Sequence, residues 1–117
     1  MRDLGLDTLL DLDGTRFVLD EAGIYWVKFD ISACAVSPER PHGIRYCLTL
    51  HERSGRRLLG FDNAHGIRDR YGPGARTRIA YDHQHVGARV RFYDYKNASS
   101  LLQDFWTEVG KILRLKE

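Results

Sequence analysis

Two short stretches of the chain hold the same chemical ingredients, Asp62-Asn63-Ala64-His65-Gly66 and Asp82-His83-Gln84-His85. Three of the five histidines fall in them, each with a carboxylate close by. Imidazole can both give and take a proton near neutral pH, and it is also a common metal ligand. Either use needs a partner that fixes the tautomer, and Asp62 and Asp82 are placed to supply it. The same region is dense in arginine, which directs the reading toward an anionic substrate, RNA before others.

Cleaving RNA without a metal takes three groups. A base removes the proton of the ribose 2′-hydroxyl, an acid protonates the leaving 5′-oxygen, and a cation faces the charge of the phosphorane. His65, His83 and His85 are the candidates for the first two tasks, oriented by Asp62 and Asp82. Arg68, Arg70, Arg76 and Arg78 are candidates for the cation, and Asn63 either hydrogen-bonds a base or holds a turn. Tyr71, Tyr81, Tyr93 and Tyr95 alternate with arginines and suit stacking on single-stranded RNA. By contrast, Tyr25, Trp26, Phe29, Phe105 and Trp106 read as core.

A metal-dependent hydrolase is the sharper rival, because His83 and His85 with Asp62 or His65 would make a two-histidine, one-carboxylate set. The surrounding arginines oppose a cation, so neither metal nor other cofactor is expected. A binding module that holds RNA or a protein without cutting it is the other alternative. The plainest reading has no site at all: Asp62-Asn63 before Gly66 as a turn, and His83-Gln84-His85 as a solvated strand edge. His42, in a proline loop, and His51, beside Glu52 and Arg53, read as surface residues.

Charge follows the same division. Residues 1–39 carry three basic and eight acidic side chains, and residues 40–91 carry eleven arginines, no lysine and four acids. Arginine's planar fork suits phosphate and stacks on bases, which favours a nucleic-acid reading of the central stretch. At 117 residues the length fits a single domain over residues 1–117. No apolar run reaches the roughly 18 residues of a membrane helix, and the start lacks an export signal, so a cytoplasmic protein is expected. Cys34 and Cys47 lack metal-site spacing and read as reduced thiols.

These residues need elements to position them. Residues 4–12 suggest one or two helical turns. Residues 15–21 and 24–36 alternate around Ala22-Gly23 as a hairpin, and residues 43–53 and 56–63 form a second around Ser54-Gly55. In the latter, consecutive Leu58 and Leu59 imply a bulge or deeper burial. Gly72-Pro73-Gly74 marks a loop beside the site. Residues 79–86 and 89–95 read as two further strands, the first bearing His83 and His85 on one face. Residues 101–115 form an amphipathic helix, capped by Ser100 with Gln103 or by Asn97. The expected fold is α+β: one antiparallel sheet of about five to six strands, a C-terminal helix on one face, and a short N-terminal helical segment.

The stretches Leu59-Gly60-Phe61-Asp62-Asn63-Ala64-His65-Gly66, Asp82-His83-Gln84-His85 and Leu101-Leu102-Gln103-Asp104-Phe105-Trp106-Thr107-Glu108-Val109, in this order and spacing, resemble the TumE-like toxin family of bacterial toxin–antitoxin pairs. The resemblance covers roughly residues 15–115 and implies a small intracellular ribonuclease toxin. It also implies a cognate antitoxin as partner, typically a helix-turn-helix DNA-binding protein, and a homodimer is compatible with it. Phe61 stands where family sequences carry tyrosine, so no role that needs a phenol there carries over.

Overall fold

Period-two alternation builds the centre of the protein. In Tyr25–Ala33 the apolar Val27, Phe29 and Ile31 are buried while Lys28, Asp30 and Ser32 are exposed, and Ile44–Glu52 repeats the pattern with Ile44, Tyr46, Leu48 and Leu50. A computed structural model of the chain describes residues 5–37, 41–63 and 82–115. There, α1 (Leu6–Asp11) is followed by β1 (Arg16–Val18), β2 (Tyr25–Ala33), β3 (Ile44–Glu52), β4 (Arg57–Asp62), β5 (His83–Val86) and β6 (Arg89–Phe92), and then by α2 (Ala98–Leu115). The strands lie in chain order in one sheet, each antiparallel to the next. This is the expected α+β arrangement of a six-stranded sheet, a C-terminal helix and a short N-terminal one.

Both described helices pack on one face of the sheet. Helix α2 turns Leu101, Phe105 and Val109 onto it, at the i, i+4, i+8 spacing that aligns side chains on one side of a helix. The Phe105 ring meets Phe29 and Phe61 edge-on, with centroids 5.6 and 5.8 Å away. Asn97 caps the helix, since its Oδ1 accepts the Ser100 amide N–H at 2.8 Å. Leu9 of α1 is fully buried in the same core. α1 comes close to α2 at Gly5, whose φ is +81° and where a Cβ would lie 2.9 Å from the Ser99 nitrogen.

Leu58 and Leu59 are both buried, as their succession suggested, because the β3–β4 register shifts between Leu50 and His51. Just beyond β4, Asn63 has no exposed surface. Its Oδ1 accepts the Tyr46 N–H at 2.9 Å, its Nδ2 donates to the Ile44 carbonyl at 2.8 Å, and its own N–H donates to the Tyr46 carbonyl at 3.3 Å. The amide thus extends the β3–β4 ladder one step past the strand and fixes where Asp62 emerges. Truncating it would leave a backbone donor and acceptor buried without these partners. Asn63→Ala is expected to lower the unfolding free energy by about 2–4 kcal/mol in urea denaturation.

Candidate functional site

Strand register decides which polar side chains meet. On the face opposite α2, Asp30, Cys47, Asp62, His83 and Phe92 form one row across five strands, and Lys28, Thr49, Gly60, His85 and Val90 form the next. A third row carries Trp26, His51 and Arg57. Neither helix of the described residues covers this face. Two of the three expected imidazoles, His83 and His85, therefore lie on it together with Asp62, their ring centroids 6.0 Å apart.

Asp62 and His85 are in contact, Oδ2 to Nε2 at 3.1 Å, with both side chains mostly shielded from solvent. A carboxylate can only accept, so its place at Nε2 favours a proton on that nitrogen. Of the two aspartates of the sequence reading, Asp62 is the one in contact with an imidazole.

Gly60 makes room for a cation that the sequence reading missed. Its missing side chain leaves space that Arg57 fills: a Cβ there would lie 3.4 Å from the Arg57 Cδ and 3.5 Å from Nη1. Arg57 therefore crosses over Gly60, the residue paired with His85, and its charge is felt at Cys47 in the Asp62 row. A glycine inside a strand is a signal of close approach. The bulge at Leu58-Leu59 hid which face Arg57 would take. Cys47 itself is no nucleophile here, because burial, reinforced by Asp62 and Asp30, pushes its thiol pKa up. Both cysteines are free thiols.

Asp82 does not join the imidazoles. Neighbours along a strand point to opposite faces, so as His83 turns outward Asp82 turns toward the core, where its Oδ2 accepts the Tyr46 hydroxyl at 2.7 Å. Burial raises the Asp82 pKa; the Tyr46 hydrogen bond and the nearby His42 and His83 work against that shift. Asn63, with both ends of its amide bonded to β3, likewise sits inside the fold and not at a substrate.

Other expectations shift too. Trp26 is not core: it lies on the open face, its ring 4.2 Å from His51 and nearly parallel to it. Its alternation with Lys28 and Asp30 already placed it there. Tyr93 and Tyr95 are buried, not stacking platforms; Tyr93 donates its hydroxyl to Asp104 Oδ2 at 2.7 Å, and Tyr95 meets the half-buried His42 at 3.9 Å between centroids. His51 is half-buried in its contact with Trp26. His65, Arg68, Arg70, Tyr71, the Gly72-Pro73-Gly74 loop, Arg76, Arg78 and Tyr81 lie outside the described residues. Among the described residues, no three His, Cys, Asp or Glu side chains gather as a metal-holding group, the set His83, His85 and Asp62 included. No described helix is long and apolar enough to cross a membrane.

The family model for the toxin TumE matches residues 13–113, most of the chain. Neither the curated proteins nor the solved structures contain a match.

The buried Asp82 has a stability consequence with a definite sign. Its folded pKa lies above the ordinary carboxylate value of about 3.9, so between the two the folded state binds more protons than the unfolded one. Its contribution is therefore fully present below that ordinary value and is lost as pH rises through the folded pKa. Asp82→Asn keeps an acceptor for Tyr46 and removes the titration. The unfolding free energy of the variant relative to wild type should increase as pH goes from about 4 to 7. A pH-independent difference in denaturation curves would contradict this account.

Proposed function

As the chain belongs to the TumE toxin family, we propose that it is the toxin of a bacterial toxin–antitoxin pair and that it cleaves single-stranded RNA in the cytoplasm without a metal. The observation that carries the chemistry is the Asp62–His85 contact with His83 on the same open face. His85, its Nε2 proton held by Asp62, takes the 2′-hydroxyl proton at Nδ1. The 2′-oxygen attacks phosphorus, the bond to the 5′-oxygen breaks, and protonated His83 supplies the proton that this oxygen needs. The products are a 2′,3′-cyclic phosphate and a 5′-hydroxyl. Rings 6.0 Å apart do not bond each other, yet both can reach one phosphate between them.

Arg57, held over Gly60, offers the cation for the phosphorane. Arg68, Arg70, Arg76, Arg78 and Tyr81 are assigned to substrate contact, and His65 to the acid–base set, on the strength of their residue types. Asp82 and Asn63 are assigned to the scaffold. An antitoxin of the helix-turn-helix type would neutralise the protein most simply by covering the open face.

Induced without antitoxin, wild type should arrest growth and degrade cellular RNA, and the His83→Ala, His85→Ala double variant should do neither. With purified protein, the double variant should cut RNA about 10²- to 10⁴-fold more slowly. Arg57→Ala should cost about 10²-fold, and Arg57→Lys should recover part of that. A chelator should leave the wild-type rate unchanged. Equal growth arrest by wild type and double variant, with total RNA intact in both, would overturn the nuclease.

A further inference from the structure

On the open face, beside the proposed site, three side chains form a pile. The Trp26 indole lies 4.2 Å from the His51 ring with only 12° between their planes, and the Arg16 guanidinium carbon sits 4.0 Å over the indole. The register explains it: Trp26 is directly opposite His51 on β3, and Arg16 comes from the neighbouring edge strand β1. From His51 to His85 the path is two strands across and two residues along, roughly 12 Å by strand geometry.

The two sides of the indole are held differently. His51 is clamped at both ring nitrogens, with Nδ1 donating to the Gly55 carbonyl at 3.1 Å and Nε2 bonded to the Thr49 hydroxyl at 2.9 Å. A carbonyl only accepts, so Nδ1 carries a proton and the ring cannot turn without losing both bonds. The other side is covered by an exposed arginine. An exposed cation–π contact is weaker than the stacking of a base on an aromatic ring. A base can therefore take the place of the guanidinium against a rigidly backed indole, and the released guanidinium is free to reach a phosphate.

We propose that Arg16, Trp26 and His51 form a base-stacking subsite for single-stranded RNA, in which a base flanking the cleaved linkage stacks on Trp26 in place of Arg16. The occupant follows from the chemistry of the face. A flat aromatic surface between cations, in line with Arg57 and the histidines, suits a chain of bases and phosphates. Duplex RNA keeps its base faces to itself and has nothing to offer the indole. The proposal rests on the RNA reading of the neighbouring site and extends it to a position that holds substrate without touching the reacting atoms.

The test uses the full chain and a short 2′-O-methyl oligonucleotide, which lacks the nucleophile and stays uncut. The chain has two tryptophans, so in a Trp106→Phe protein the emission comes from Trp26 alone. Binding of the oligonucleotide should quench that emission, and a duplex of the same sequence should not. Trp26→Leu should weaken binding roughly five- to hundredfold, and Arg16→Ala should make the salt dependence shallower by about one phosphate contact. The proposal is overturned by binding that leaves the emission unmoved, by equal quenching with duplex, or by unchanged affinity in Trp26→Leu. Quenching by the antitoxin but not by the oligonucleotide would also overturn it and reassign the pile to protein docking. Quenching without any RNA cleavage would refute the nuclease and leave the subsite standing; cleavage without quenching would do the reverse.

Discussion

A strand sends successive side chains to opposite faces, and among the described residues both helices pack on the same face of this sheet. α2 and Leu9 close over Val27, Phe29, Leu48, Leu50, Leu59 and Phe61, so apolar positions are taken by that side. Among the described residues the intervening positions meet neither helix, and they can hold groups that a core would not tolerate. Arg57, Asp62, His83 and His85 are together because each falls on that second set in neighbouring strands. A one-residue slip of β5 against β4 would send both imidazoles inward and Gln84 outward. The dependence on register gives Asn63 its importance, since its amide holds the end of β3 to the end of β4.

Two aspartates with similar sequence surroundings end in different environments. Asp62 is on the face away from α2, in contact with the His85 imidazole. Asp82 is buried against the Tyr46 hydroxyl, in the core rim that also holds Tyr95 and Tyr93. The difference is the parity of the position alone. Burial pushes Asp82 upward in pKa and its Tyr46 partner upward as well, and the phenol donates its hydrogen bond to the carboxylate inside the fold. The same burial effect at Cys47 keeps a thiol between two carboxylates neutral and unreactive.

The face away from α2 also brings together two kinds of side-chain cluster. Near β5 it carries the imidazoles of His83 and His85, the Asp62 carboxylate and the Arg57 guanidinium. Near β1 and β2 it carries an indole between a guanidinium and a clamped imidazole. Gly60 lies between them and keeps the floor low, and Arg57 bridges that gap.

Much of the architecture was legible in the sequence, because it rests on periodicity. The alternation of residues 24–36 and 43–53, the stripe Leu101, Phe105 and Val109, the glycine turns and the bulge at Leu58-Leu59 all follow from local patterns, and so does the shared face of His83 and His85. The placement of Trp26 was legible too, although its aromatic character drew it into the core set. Other features depend on which strands become neighbours and on what register they take. No local pattern pairs Asp62 with His85, turns Asp82 to Tyr46, buries Tyr93 and Tyr95, or lays Arg57 over Gly60. Residue types and their period are written along the chain, whereas contact across strands is decided only when the sheet selects one register among many.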